Sequence, residues 1–210
     1  MAGSDSKLTA TFALEADSLR FHGGPIAGID EAGRAPWAGP VVAAAVVLDP
    51  RNIPPGIADS KALDAAARER AFAAIVATAD VGVGIADVDR IDDINILNAT
   101  LWAMRAAVHQ LASPPRLALI DGNRLPRLAC EARAIVKGDA TCLSIAAASI
   151  VAKVTRDRIM ISLGEAYPGY GFERHKGYGT PEHQAAIRRL GITAHHRRSF
   201  RPIRFALGLP

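Results

Sequence analysis

The chain has 210 residues, 50% of them hydrophobic, with a formal net charge of +4, which suits a single folded domain with a sizeable core and excludes a disordered polymer. Its longest apolar run without a charge, residues 35–48, falls short of the roughly 20 residues that span a bilayer, and residues 1–20 carry Asp5, Lys7, Glu15 and Asp17 in place of an apolar signal block. The expectation is a cytoplasmic protein with no membrane contact.

No internal repeat is visible. Residues 1–21 are polar and weakly patterned and read as a flexible N-terminal extension, leaving residues 22–210 as one domain. Residues 25–30 are short and apolar and end in acids; residues 41–48 are rich in Val and Ala between Pro40 and Asp49-Pro50. Both are predicted to be buried strands, with further strands at 81–86, 117–120 and 132–136. Asp59 or Ser60 can cap a helix reaching Thr78. Ile94, Leu97, Leu101, Met104, Val108 and Leu111 recur at spacings of three and four and form one helical stripe. A third helix is predicted over 141–166. A fourth starts near Thr180-Pro181-Glu182, where Pro suits the first turn, and stops at Leu190-Gly191. This order predicts an α/β domain with a helical C-terminal region.

Two predicted strands end in carboxylates, at Asp30-Glu31 and at Asp121, and Asp139 follows the last strand. Sites in open α/β sheets form beyond the carboxyl ends of strands, so these four acids are candidates to converge. Clustered carboxylates repel one another, and a hard cation relieves the repulsion. An all-oxygen set suits Mg2+ or Mn2+, two of which can flank a scissile phosphate. Taken singly, each acid is equally well read as a helix cap or a surface charge. Neighbouring strand residues point to opposite faces, so Asp30 and Glu31 share a site only if the strand ends between them. Cys130 and Cys142 lack zinc-ligand spacing and read as reduced, partly buried thiols. No acid occurs after Gln184, while Arg188, Arg189, Arg197, Arg198, Arg201 and Arg204 do. That stretch reads either as a surface for a polyanion or as a plain solvated face.

The segments in order resemble the bacterial type 2 ribonucleases H. The likeness is carried by Gly28-Ile29-Asp30-Glu31-Ala32-Gly33-Arg34-Ala35-Pro36-Trp37-Ala38-Gly39-Pro40, then Asp59-Ser60-Lys61, residues 95–100, Asp121-Gly122 and Lys137-Gly138-Asp139-Ala140. Residues 144–157, Tyr170-Gly171-Phe172, His175-Lys176-Gly177-Tyr178 and His196-Arg197-Arg198-Ser199-Phe200 complete it. The resemblance implies a ribonuclease H-like mixed β-sheet flanked by helices, with Asp30, Glu31, Asp121 and Asp139 as catalytic, metal-binding acids. It implies hydrolysis on the 5′ side of a ribonucleotide, in RNA–DNA hybrids and at single ribonucleotides embedded in duplex DNA. Mn2+ or Mg2+ would be the cofactor, and a monomer is the default expectation.

Telling RNA from DNA needs a reader for the 2′-hydroxyl. The resemblance assigns this to Gly33-Arg34-Ala35, with Tyr178 packing on the next sugar; Tyr170 is the alternative, and core packing beside Phe172 is its plainer role. Glycine is usual where Ala35 stands. Because Pro36 follows, the backbone at 35 is expected to be extended, which alanine adopts freely. Ser149, Lys153 and Arg156 share a helix face that could line the nucleic-acid groove, with Lys61 beside it. For Arg156, an ion-pairing surface is the competing reading. None of His175, His183, His195 and His196 is expected to bind metal, although His196-Arg197-Arg198 could touch phosphate. Two other readings remain: a DNA-junction nuclease on the same fold, and a non-catalytic hybrid binder.

Overall fold

The computed structural model describes residues 10–58, 60 and 63–209. Its centre is a five-stranded sheet of β1 (Ile26–Ala32), β2 (Val41–Val47), β3 (Asp80–Ala86), β4 (Leu117–Asp121) and β5 (Glu131–Ile135), in the order β3-β2-β1-β4-β5. Strands β1, β2 and β3 pair antiparallel, while β4 and β5 run parallel to β1. The three parallel strands therefore end on the same edge of the sheet.

Helices cover both faces. One is α3 (Val88–His109), whose Ala99, Ala103, Met104 and Ala107 pack on Ala27, Ile29, Ala43, Ala45 and Ile120. The other is α4 (Leu143–Ala166), whose alanine-rich stretch packs on Ala44 and Val46, with α2 (Ala65–Thr78) alongside through Ala71 and Ile75. Small residues let the layers approach closely. At Gly28 an added Cβ would stand 2.1 Å from the Ser144 carbonyl carbon, so α4 rests directly on the β1 backbone. The C-terminal region holds α5 (Phe172–His175), α6 (Pro181–Leu190) and α7 (Arg201–Ala206). Among the described residues no helix is long and apolar enough to cross a membrane.

Three local features differ from the sequence expectation. Part of the supposed extension is a helix, α1 (Ala13–His22), which docks through Leu14 and Leu19 onto Ile26, Leu117 and Ile145. Its Glu15, 1% exposed, accepts hydrogen bonds from the Ser144 amide (2.6 Å) and hydroxyl (2.8 Å), capping α4 from outside. The weak pattern concealed this because the helix is held by one buried acid and two leucines. Helix α2 starts later than expected, since Asp64 is its cap and accepts from the Ala67 amide at 2.7 Å. Asp59 lies outside the described residues, and the Ser60 hydroxyl is engaged 2.7 Å from that of Ser149. Helix α3 is broken at Asn95, whose φ of 66° no continuous helix accepts; its side chain caps the second half by accepting from the Asn98 amide.

Candidate active site

Face parity places the acids. Ala27 and Ile29 lie on the α3 face and Gly28 on the α4 face, so Asp30 points towards α4 and Glu31 towards α3. On β4, Ala118 and Ile120 face α3 while Leu119 packs with Ile145 of α4, which puts Asp121 on the Asp30 side. The expectation that the strand must end between Asp30 and Glu31 is wrong: β1 continues to Ala32, with Glu31 opposite Ala43 and Ala32 opposite Val42. The two acids approach one site because the β1–β4 pairing stops at Ile29 and Ile120. Beyond that point β1 and β4 are no longer bonded to each other, and Glu31 lines a small hollow with Asp121, Leu97 and Thr100.

Asp30 is 6% exposed. Burial drives its carboxyl well above the usual carboxylate range, and Glu31 and Asp121 add to the shift; the Glu31 amide and the Ser149 hydroxyl, both bonded to it, oppose it. Glu31 is also raised by burial and by Asp121, with Arg34 pulling it back through a contact of 3.3 Å. Asp121 accepts from the Gly138 amide at 2.7 Å. That bond ties the end of β4 to the short 3-10 turn Gly138–Ala140, in which Asp139 is buried next to α4. Three acids thus interact electrostatically at the carboxyl edge, with Asp139 in the adjoining turn.

The chemistry of this donor set fits a hard divalent cation: oxygen ligands only, and a buried carboxyl whose ionisation is opposed by its neighbours. Among the described residues no three acid, imidazole or thiol side chains form a ready-made metal cage. An open arrangement suits Mg2+, which keeps waters and shares substrate phosphate oxygens with one or two carboxylates.

Gly33 follows the acids with φ +96°, and an added Cβ would stand 2.0 Å from Arg156 Nε, so both backbone and space require glycine. Ala35 is exposed and has no left-handed backbone, since among the described residues only Asn95, Lys137 and Lys176 combine a side chain with positive φ. Its methyl group therefore costs the loop nothing in conformation. Ser149 faces Asp30, and Lys153 lies one turn further along α4, bonded to Asp157 at 2.7 Å. Lys61 lies outside the described residues. Tyr178 is 46% exposed, whereas Tyr170 is buried, stacks on Phe172 at 5.3 Å and donates its hydroxyl to the carbonyls of Leu190 and Gly191. Of the two tyrosines, Tyr178 alone has a ring available to substrate.

Arg156 and Arg197 were not expected where they are. Both are at most 1% exposed, so neither is an ion-pairing or phosphate-binding surface group. Arg197 donates to the carbonyls of Gly33, Arg34, Gly39 and Pro40, and Arg156 to those of Ala38, Pro40 and Lys176. They clamp the Gly33–Pro40 loop from behind with its carbonyls turned inward. The sequence carried no plain signal for this: Asp157 stands beside Arg156 as an apparent partner, but it is taken by Lys153 at 2.7 Å. His196 is buried as well, leaving Arg198 as the exposed member of its trio.

The sequence profile of the family described as Ribonuclease HII matches residues 27–204. A ribonuclease HII of Azorhizobium caulinodans is 58% identical over 194 residues, covering 92% of this chain and 75% of that protein. One of Parvibaculum lavamentivorans is 60% identical over 180 residues, covering 85% and 67%. Among solved structures, the ribonuclease H2 of Pyrococcus horikoshii superposes with a TM-score of 0.73 at 28% identity, covering 87% of this chain and 96% of that one.

Proposed function

We propose, from the premise that this chain belongs to the ribonuclease HII family and is therefore a divalent-metal-dependent endoribonuclease acting on the RNA strand of RNA–DNA hybrids, that it also cuts duplex DNA at single embedded ribonucleotides, on their 5′ side. Family membership sets aside the junction-nuclease and non-catalytic readings. The observation that carries the proposal is the set of mutually repelling acids at one edge of the sheet together with the exposed ring of Tyr178, whose segment is bonded to the clamped Gly33–Pro40 loop through Trp37 and Gly177.

In this reading Asp30, Glu31, Asp121 and Asp139 hold the cations. Two Mg2+ or Mn2+ ions bound there would supply charge neutralisation at the scissile phosphate and activation of a water. Gly33, Arg34 and Ala35 present backbone groups to the 2′-hydroxyl, since the carbonyls of Gly33 and Arg34 are engaged from behind by Arg197. The exposed ring of Tyr178 tests the sugar on the next nucleotide, where it packs closely only if no hydroxyl projects. Lys153, with Lys61, meets backbone phosphate.

The test uses three duplexes: an RNA–DNA hybrid, a DNA duplex with one ribonucleotide, and an all-DNA control, each with Mg2+, with Mn2+ and with chelator. Cleavage of the first two, only with metal and leaving 3′-hydroxyl and 5′-phosphate ends, is expected. An uncut single-ribonucleotide duplex would refute the finer specificity, and cutting in chelator would refute the metal assignment.

A further inference from the structure

Tyr178 combines an exposed ring with a tightly held backbone. Its amide donates to the His175 carbonyl at 2.9 Å. Its own carbonyl accepts from the Thr180 amide at 2.8 Å and lies 2.9 Å from Nδ1 of His183. The preceding residue, Gly177, accepts at its carbonyl from the Trp37 amide, which ties this segment to the Gly33–Pro40 loop. The phenol lies within electrostatic reach of Arg156 and Arg197, the two cations behind that loop.

The protons on the histidines can be placed by elimination. The Thr193 amide donates to Nδ1 of His196 at 2.9 Å, so that nitrogen carries no proton. In neutral His196 the proton is therefore on Nε2. That atom stands 3.0 Å from Nε2 of His183, which must then accept. The His183 proton is left on Nδ1, facing the Tyr178 carbonyl. Every polar atom is satisfied by this single order. Both rings are wholly buried, packed against Phe172 and against His175, which stacks on His183 at 4.5 Å.

We propose that His183 and His196 are positioning residues for Tyr178, a fixed relay of two neutral tautomers whose last N–H holds the Tyr178 carbonyl and so sets where the ring meets the sugar. The proposal rests on the reading of Tyr178 as the sugar-testing residue. An added proton on either ring would set two N–H groups face to face, or an N–H against the Thr193 amide. Burial and the neighbouring imidazoles accordingly keep both rings neutral, with pKa values lowered to about 4. The titratable groups around the pair are His175 and Glu182 beside His183, and His195, His175 and the Tyr170 ring beside His196.

Two substitutions at one position separate this role from packing. In His183→Asn the amide nitrogen stands where Nδ1 stood and keeps a donor for Tyr178. In His183→Gln the amide reaches only the Nε2 position, where its oxygen accepts from His196, keeping that contact and losing the Tyr178 bond. The readout is the ratio of initial rates on the single-ribonucleotide duplex and the long hybrid. His183→Gln is expected to lower that ratio several-fold, up to about tenfold, the scale of one net hydrogen bond, while His183→Asn keeps it near wild type. In a Tyr178→Ala background the two variants should be indistinguishable. Nitrogen-15 spectra of the intact protein should show His183 protonated at Nδ1 and His196 at Nε2. The opposite tautomers, or equal effects of Asn and Gln when Tyr178 is present, would overturn the relay while leaving the role of Tyr178 standing. If Tyr178→Ala itself leaves the ratio unchanged, the reading of Tyr178 fails and the relay's function falls with it.

Discussion

Replacing Arg197 with Met should cost about 3 kcal/mol of stability. Methionine fills the stem but offers no donor. The Gly33, Arg34 and Gly39 carbonyls then lose the guanidinium, while Pro40 keeps its bond from Arg156 Nε at 3.0 Å. A buried acceptor left unpaired costs about 1–3 kcal/mol, giving a gross loss of about 3–9 kcal/mol. Two effects reduce it. Arg34 is exposed, so water can reach its carbonyl. Arg197 is also a buried cation beside a second one: burial lowers its pKa to about 9 and Arg156 adds to the shift, yet it remains charged at neutral pH. Removing it recovers desolvation and repulsion. The net of about 3 kcal/mol corresponds to a fall in Tm of about 6–12 °C for a chain of this size. Urea denaturation measures the first quantity and a thermal melt the second. Because the freed carbonyls belong to the proposed substrate loop, KM for the hybrid should rise more than kcat falls. Arg197→Lys, which keeps the charge but not the planar fork, should recover at most half of either loss. A Met variant within about 1 kcal/mol of wild type would refute the clamp, and a destabilised variant with unchanged KM would separate the clamp from substrate binding.

Three further outcomes are expected. Asp30→Asn and Asp121→Asn should each abolish cleavage with the fold retained, and Asp30→Asn should raise the Tm, because a buried carboxyl pushed upward by its neighbours opposes folding when ionised; wild-type turnover in either at saturating Mg2+ would remove the site assignment. Lys153 is held by Asp157 at 2.7 Å, so Asp157→Asn should tighten hybrid binding several-fold in fluorescence anisotropy, and Lys153→Ala should reduce the slope of log affinity against log salt by about one; no change in either quantity would remove Lys153 from the phosphate contacts. The folded pKa values of His183 and His196, about 4, lie below their unfolded value of 6.5, so stability is complete above pH 6.5 and drains as pH falls from 6.5 through 4, by on the order of 3 kcal/mol for the first ring protonated at about 1.4 kcal/mol per unit; a flat urea midpoint over that range would contradict the buried neutral pair.

The strands were legible because apolar runs bounded by Gly, Pro or acids admit few alternatives, and all five lie within a residue or two of the reading. Asp121 was legible as a strand end for the same reason, since β4 stops on it, whereas β1 runs on past Asp30 to Ala32. Less visible was how neighbouring acids reach one site. Parity alone sets Asp30 and Glu31 on opposite faces, and only the register shows that β4 pairing stops before Glu31. The break at Asn95 was hidden by its own flanks, because Ile94 and Leu97 keep the apolar stripe in phase across it.

The basic C-terminal region holds the more instructive difference. Read as a string, Arg188 to Arg204 is a run of cations without acids, and a polyanion is the natural partner. In the fold that run divides. Arg188, Arg189, Arg198, Arg201 and Arg204 remain exposed, while Arg197 turns inward and is spent on four carbonyls of a loop more than 150 residues away in sequence. Arg156 does the same from α4. No local pattern can reveal this, because the partners are backbone atoms and any sequence supplies those. What a sequence can show is the cost, since a buried guanidinium must find acceptors. Where the nearby acid is taken, as Asp157 is by Lys153, the acceptors are carbonyls, and a loop with its carbonyls turned inward leaves its other backbone and side-chain groups for a ligand. On that logic a buried arginine is a pointer to a shaped loop, and here Arg156 on α4 and Arg197 in the segment before α7 both point to the loop that begins two residues after Glu31.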